Sequence, residues 1–238
     1  MIRQITICVF IAAAWLSCKG PVKSIPPSDT AKLIGTYHGH FGTGLVSLVV
    51  YYINGDQAGG YDLRRGSRRN LRGTLRGRGR FVDLTMNEPG DTVTDGAFSL
   101  SIDTVTLGAT GRWTSFQGGQ GHDLLLTKAT GDDNVPDRFY LDQRAVWINR
   151  RQDNAVLILY ANGYAEYAHY RHYEDPKEQV IQMRGTYVWQ GDSCLLDWQA
   201  NAYTPDSLMT LIRGAGLESN GTDSVPTLTG QGWVLYGQ

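Results

Sequence analysis

The sequence predicts an all-β protein, with one or two antiparallel up-and-down barrel modules behind an N-terminal signal segment. Glycine is abundant, at 29 of 238 residues, while proline is modest, at 8. Threonine, tyrosine and valine are frequent, which is typical of short strands joined by tight turns. No segment longer than about ten residues has an apolar period of 3.6, so we expect little helix.

Residues 1–17 have the pattern of a signal peptide. Ile5–Leu16 is an apolar run interrupted only by Thr6, and Arg3 supplies positive charge before it. The run has the length of a signal-peptide core and is too short to span a bilayer. Ser17-Cys18 then resembles the lipobox of bacterial lipoproteins, although Trp15 departs from the aliphatic residue of that motif.

The lipobox resemblance implies that Cys18 carries lipid and anchors the chain to a membrane. Cys8 leaves with the signal peptide, so only Cys194 remains and no internal disulfide explains Cys18. Residues 18–32 then form a tether. The resemblance implies that Lys19, in place of an aspartate, favours the outer membrane, and that the lack of an acidic surface-export tag favours the periplasmic face. The alternative is cleavage after Ala14, which would leave a soluble periplasmic protein.

Residues 33–128 have the pattern of a first barrel module, because eight short strands follow one another through tight turns. Leu45–Ile53 is apolar on both faces, so we expect it in the interior, and Asn54-Gly55 supplies a type I′ hairpin turn after it. The predicted strands are Ile34–His40, Leu45–Ile53, Gln57–Asp62, Asn70–Arg76, Arg80–Met86, Ala97–Ile102, Val105–Trp113 and Asp123–Thr127.

Residues 129–138 are predicted to form a polar linker, and residues 139–238 a second β module that repeats the first. Asn162-Gly163 supplies its hairpin turn, as Asn54-Gly55 does in the first half. The predicted strands are Tyr140–Ile148, Ala155–Ala161, Tyr164–Tyr173, Gln179–Trp189, Ser193–Ala200, Ser207–Ile212 and Leu228–Tyr236.

Four sequence echoes in preserved order suggest that one module was duplicated. The alternative is that hairpin chemistry converged independently, because Asn-Gly and Gly-Thr are common in hairpins. The paired segments are Leu48–Gly55 with Val156–Gly163, Arg72–Leu75 with Arg184–Tyr187, Asp83-Leu84 with Asp197-Trp198, and Gly111–Trp113 with Gly230–Trp233.

The same Asn-Gly hairpins and Gly-Thr strands resemble the lipocalin-like domains of small bacterial lipoproteins. The resemblance implies a barrel that either encloses a small apolar ligand or is filled by side chains. Bulky inward residues fill a narrow barrel. The expected inward residues favour a filled interior: Leu45, Val49, Phe98, Leu100 and Ile102.

Eight arginines and no acidic residue lie within Arg64–Arg80. The whole chain has a net charge of −1, so it has no overall positive field that would attract nucleic acid. Guanidinium groups bind anions bidentately. The block therefore predicts a site for an anionic envelope component, and the alternative is a solvent face in which Arg72 and Arg76 pair with acids of the next strand. The candidate ligand-binding residues are Arg64, Arg65, Arg68, Arg69, Arg72 and Arg76.

The histidines give no ligand set for a metal, and we expect neither metal nor cofactor. His38 and His40 share one strand face and His169 and His172 lie in another strand, as exposed residues. Four tyrosines beside the second pair are either a ligand-stacking wall or ordinary cross-strand residues. These are Tyr164, Tyr167, Tyr170 and Tyr173.

The sequence contains no nucleophile elbow, phosphate loop or zincin motif, so we expect a non-catalytic binding or structural module. A lipocalin-type carrier of a small apolar ligand is the first alternative. A hydrolase built from scattered carboxylates is the second.

Overall fold

The chain is all-β, as predicted, apart from one short helix at the start of the described residues. A computed structural model describes residues 27–119, 121–129, 137–141, 154–170, 179–201, 207–217 and 224–237. The elements are α1 (Pro27–Leu33), β1 (Gly35–Phe41), β2 (Gly44–Asn54), β3 (Gln57–Arg64), β4 (Ser67–Arg78), β5 (Phe81–Asn87), β6 (Gly96–Asp103), β7 (Gly108–Ser115), β8 (Gly121–Lys128), β9 (Asp137–Leu141), β10 (Asn154–Leu159), β11 (Tyr164–Tyr170), β12 (Gln179–Gln190), β13 (Ser193–Trp198), β14 (Leu208–Leu217), β15 (Ser224–Gly230) and β16 (Trp233–Gly237).

Strands β1–β8 form the first barrel, each antiparallel to the next. The sheet closes through β1 and β8, where Tyr37 lies opposite Lys128 and Gly39 opposite Leu126. Strands β9–β16 curl into a second antiparallel sheet, which β9 closes by pairing with both β10 and β16. The sequential hairpin order confirms the predicted up-and-down topology.

Apolar side chains fill the interior of the first barrel from the α1 end upward. Tyr37, Phe98 and Met86 are fully buried in this cluster. Leu33 of α1 belongs to the same cluster, and the Tyr37 hydroxyl donates to its carbonyl at 2.9 Å. Helix α1 therefore caps one end of the barrel, within the segment assigned from sequence to the tether.

Strand β2 is buried on both faces, as its apolar run predicts, but the two faces have different neighbours. Val46 and Leu48 point into the first barrel. Leu45 and Val49 are buried outside that core, on the face of β2 that meets strands β12 and β13. The prediction that Leu45 and Val49 point inward is wrong because the second barrel, rather than the barrel interior, buries them.

The predicted strand Leu228–Tyr236 is two strands in the structure. Gln231 and Gly232 both have positive φ, at 48° and 82°, and form the turn between β15 and β16. The apolar run therefore contains a hairpin, which brings the second sheet to eight strands. In the first barrel β7 begins at Gly108 rather than at Val105, because residues 104–106 form a turn.

Three of the four sequence echoes lie on equivalent strands. The hairpins at the two Asn-Gly pairs join β2 to β3 and β10 to β11, and Gly73 and Gly185 lie in β4 and β12. The predicted type I′ turn is wrong in detail, because Asn54 ends β2 and the loop is Gly55-Asp56, with positive φ at Gly55 alone. At Gly73 a Cβ would lie 1.7 Å from the Thr85 carbonyl oxygen, and at Gly185 a Cβ would lie 2.7 Å from the Trp198 ring. Both glycines therefore allow the next strand to approach closely.

Two of the four echoes do not match in detail. Thr74 pairs with Thr85, whereas Thr186 pairs with Asp197, so Asp197 corresponds by register to Thr85 and not to Asp83. Gly111–Trp113 lies in β7, but its echo crosses the turn between β15 and β16. Descent from one duplicated module stays a prediction.

Candidate functional site: the cavity at the junction of the barrels

Two hairpin turns build the junction between the barrels, and each turn packs against the other barrel. The Arg65-Gly66 turn joins β3 to β4, and its Gly66 amide donates to the Thr186 hydroxyl at 3.0 Å. In the other direction, the Asn162 amide donates to the Tyr61 hydroxyl at 3.1 Å. Both turns meet the other barrel through a glycine of positive φ, since Gly163 lies against Ser47 and His38.

Asp197 is a buried carboxylate of the second barrel that contacts the first. It accepts the Leu45 amide at 3.0 Å, and its other oxygen lies 3.3 Å from Nε of Arg65. Burial raises the pKa of Asp197, while the Leu45 amide and Arg65 oppose that rise. This carboxylate therefore links β2, the Arg65-Gly66 turn and β13 at one point.

A cavity of about 530 Å³ opens at this junction, over the end of the first barrel opposite α1. The first barrel contributes arginines, aromatic rings and hydroxyl groups, and the second contributes Asp197 and Gln199. Its volume falls in the range of small-molecule sites. The first-barrel residues that line it include Phe41, Arg64, Arg65, Arg69, Thr94, Trp113, Ser115 and His122.

Beneath the cavity lies a buried network of two acids and one arginine. Arg64 donates through Nε to Asp62 at 2.7 Å and through a terminal nitrogen to Glu88. Glu88 also accepts the Gly96 amide and the Trp113 indole N–H, the latter at 3.3 Å. The carboxylates of Asp62 and Glu88 are fully buried, so two shielded acids share one guanidinium.

This arrangement changes the acidity of both carboxyl groups. Burial raises the pKa of Glu88 to about 7, against the opposing charge of Arg64, and the charge of Asp62 adds to the rise. Burial likewise raises the pKa of Asp62, while Arg64 lowers it. Removing a carboxylate from water favours its neutral form, so the pair retains a proton more readily than exposed acids do.

Aromatic rings hold Arg64 in place. Its guanidinium carbon lies 4.6 Å from the centroid of Phe41 and 5.4 Å from that of Trp113. Phe41 and His122 contact each other at a centroid distance of 4.5 Å, and both rings line the cavity. Cation–π contact with desolvated arginine is stabilising, so the site has a rigid aromatic wall.

Arg69 is held by the loop between β5 and β6. Its Nε lies 3.4 Å from Asp95, and a terminal nitrogen donates to the Thr94 hydroxyl at 3.2 Å. Asp95 in turn accepts the backbone amides of Gly90, Asp91 and Thr92 at 3.0–3.2 Å. The loop therefore fixes Asp95, and Asp95 positions Arg69 at the edge of the cavity.

The structure divides the six predicted arginines into two groups. Arg64, Arg65 and Arg69 line the cavity, whereas Arg68 stacks on Tyr61 outside it, at 3.9 Å from the ring centroid. Arg72 and Arg76 are exposed on β4. Their predicted pairing with acids of the next strand is absent in the described part of the chain.

Arg76 lies opposite Asp83, but Asp83 instead pairs with Arg78, at 3.2 Å.

The candidate histidines and tyrosines that the structure describes lie at different places in the fold and not at one site. His38 is half-buried at the junction and bonds to Ser47 at 2.8 Å, so the expectation that it is exposed is wrong; His40 is exposed and contacts Gln190. Burial lowers the pKa of His38 to about 4. Tyr167 packs in the second core against Trp233.

Several other predicted features lie outside the described residues. These are Cys18, His172 and Tyr173, together with the Tyr170 side chain. Among the described residues, no three histidine, cysteine or acidic side chains converge on a metal position. The one helix within those ranges is too short and polar to cross a bilayer.

The chain matches no protein-family model, no curated protein and no solved structure. The site is therefore defined by its own geometry alone.

Sequence reasoning missed the residues that complete the site, including Asp62, Glu88, Asp95 and Asp197. One signal was available for Asp62, because alternation along β3 puts Ala58, Gly60 and Asp62 on one face. An acid on the inward face of a barrel strand requires a buried partner. Asp197 carried no such signal, because its neighbours come from the other barrel.

Proposed function

We propose that this chain is a non-catalytic binding module of the cell envelope, anchored to a membrane by lipid on Cys18, with the cavity between the barrels as its binding site. The observation that carries the proposal is a cavity that both barrels build, lined by charged and hydroxyl-bearing side chains together with aromatic rings. Its arginines are fixed by buried or loop-bound acids, so the wall is organised before a ligand arrives. Preorganisation of this kind lowers the entropic cost of binding.

The packed first barrel supports this function over that of an apolar carrier. Tyr37, Phe98, Met86 and their neighbours occupy the space that a lipocalin-type ligand would need. The cavity lies above this core and is lined by charged and hydroxyl-bearing side chains. These groups suit a polar molecule, because an apolar one would leave buried donors and acceptors unpaired.

A hydrolase receives less support from the same geometry. The acids Asp62 and Glu88 are 0% exposed at their side chains and are covered by Arg64, which itself is 12% exposed. Both accept hydrogen bonds from one guanidinium beneath the cavity, and general acid–base catalysis needs a group within hydrogen-bond reach of the substrate. Their role in the proposal is to position Arg64.

Native mass spectrometry of the full chain, incubated with a small-molecule extract of the envelope, tests the binding site. We expect a retained polar molecule that is lost in Thr94→Trp, which fills the cavity edge. Val105→Trp is the matched control, because Val105 is 72% exposed in the turn between β6 and β7, at the α1 end of the barrel. Equal retention by both variants would place binding elsewhere.

Metabolic labelling with a fatty acid tests the anchor. We expect label on the wild-type chain and none on Cys18→Ala, with the variant released from the membrane fraction. Label that persists in Cys18→Ala would exclude this residue as the anchor, and absence of label in both would favour plain secretion.

A further inference from the structure

We infer that the cavity takes an acidic saccharide unit, whose anionic group binds Arg65 and Arg69 and whose ring packs on Phe41 and His122. The inference rests on the proposed binding function and names the class of ligand. Three independent features of the wall lead to it: unused arginine donors, neutral polar groups and a half-exposed aromatic surface.

Two arginines of the cavity wall have N–H donors to spare. In the described part of the chain, Asp197 engages Arg65 through Nε only, which leaves both terminal nitrogens with donors to spare. Arg69 uses Nε for Asp95 and one terminal nitrogen for Thr94, so among the residues that the structure describes its other terminal nitrogen has two spare donors. Arginine has no acceptor, and two such forks at one cavity match a carboxylate or phosphate group.

The charge balance agrees with a single anionic group. Arg64 is neutralised by Asp62 and Glu88, while Arg65 and Arg69 each face one acid. The cavity therefore presents many N–H donors without a large net positive charge. A highly charged polyanion therefore gains little binding free energy in this cavity. A ligand with one acidic group on an otherwise neutral molecule satisfies the spare donors.

The neutral polar residues and the aromatic rings of the cavity indicate the chemistry of the uncharged part of the ligand. Thr94, Ser115 and Gln199 line the cavity and can both donate and accept, as the hydroxyl groups of a sugar require. Phe41 and His122 offer partly exposed ring surface on which the C–H face of a pyranose packs. A carboxylated or phosphorylated sugar combines the three features, and its size suits about 530 Å³.

Isothermal titration of the full chain with four probes tests the ligand class. The probes are glucuronate, glucose 6-phosphate, glucose and inorganic phosphate, so the arms separate a carboxylate from a phosphate and the sugar from the anion. We expect at least one of the two acidic sugars to bind about tenfold more tightly than both glucose and inorganic phosphate. Equal binding of glucose, equal binding of inorganic phosphate, or no binding of either acidic sugar would overturn the inference.

Variants locate the acidic group. Arg69→Gln and Arg65→Gln each weaken the acidic sugar about tenfold, the loss expected for a hydrogen bond to a charged group. Arg69→Lys keeps the charge but loses the fork, and it also weakens binding while leaving the fold intact. Arg72→Gln is the matched control from the same strand; an equal loss there would mean that general charge, not the cavity, attracts the ligand.

The retained molecule from the envelope extract separates this inference from the proposed function. A neutral retained molecule that is lost in Thr94→Trp would overturn the ligand class and leave the binding function standing. A failure of both experiments would remove the binding function itself.

Discussion

The buried acid Glu88 makes the stability of the first barrel depend on pH in an unusual direction. Burial raises its pKa to about 7 in the folded chain, against about 4.3 in an unfolded one. The folded state therefore binds a proton that the unfolded state releases between these values. Because stability falls with pH wherever the folded state holds more protons, Glu88 makes the fold less stable as pH rises through this window.

The size of the effect follows from the difference between the two pKa values. Each unit corresponds to about 1.4 kcal/mol, so full ionisation of Glu88 costs about 4 kcal/mol as an upper bound. Between about pH 5.5 and about pH 8.5 its contribution to the free energy of unfolding falls by about 2 kcal/mol. The Glu88 carboxylate is fully buried, so solvent screening does not reduce this cost.

Urea unfolding of the wild type and of Glu88→Gln at these two pH values measures the effect. The amide keeps an acceptor for Gly96 and Trp113 but does not titrate. We therefore expect the free energy of unfolding of the variant, relative to wild type, to increase by about 2 kcal/mol from the lower to the higher pH. Taking the difference cancels titrations in the second barrel.

Asp123→Asn is the matched control for this experiment, because Asp123 is an exposed carboxylate paired with Arg112 on the outer face of the same barrel. We expect its difference from wild type to stay constant over the same range. A constant difference for Glu88→Gln as well would refute the reasoning, since burial would then not have raised the proton affinity of this carboxyl group.

Three further predictions concern the fold and the junction. Gly73→Ala destabilises the first barrel by about 3 kcal/mol in urea unfolding, because a Cβ would lie 1.7 Å from a β5 carbonyl oxygen; Gly108→Ala, whose nearest neighbour is 3.6 Å away, is the control and should be nearly neutral. Asp197→Ala leaves the Leu45 amide without its acceptor and raises its hydrogen-exchange rate about tenfold; an unchanged rate would show that the carboxylate does not hold the barrels together. Asp95→Ala removes the acceptor of three backbone amides and costs about 1–2 kcal/mol, seen as faster exchange of those amides, and unchanged exchange would contradict it.

Local sequence features were enough to predict the fold class. Asn54-Gly55 and Asn162-Gly163 mark the positions of two hairpins, although only their glycines have positive φ, and alternation along Ala97–Ile102 indicates an inward apolar face. These signals are local because a strand's faces and a two-residue turn depend only on neighbouring residues. Gln231-Gly232 carried the same kind of turn signal, but it lay inside an apolar run and was overlooked.

The arginine block Arg64–Arg80 shows what local sequence features could not predict, which is the surroundings of each arginine. Its composition predicted an anion site, yet neighbours in sequence have different surroundings: Arg64 is partly buried between two acids, Arg68 lies on Tyr61 and Arg72 is exposed. Alternation along β3 and β4 separates inward from outward positions. Which arginines face a cavity depends on where the second barrel docks.

The sequence by itself determined the strands, the hairpin turns and an apolar interior, because each follows from residues close together in the chain. Only the tertiary structure decided that Leu45 and Val49 face the second barrel, that Asp197 meets Arg65, and that a cavity opens between them. Leu45 and Asp197 are 152 residues apart in the sequence. Their contact depends on the packing of two closed sheets against each other, and the periodicity of either segment does not predict that packing.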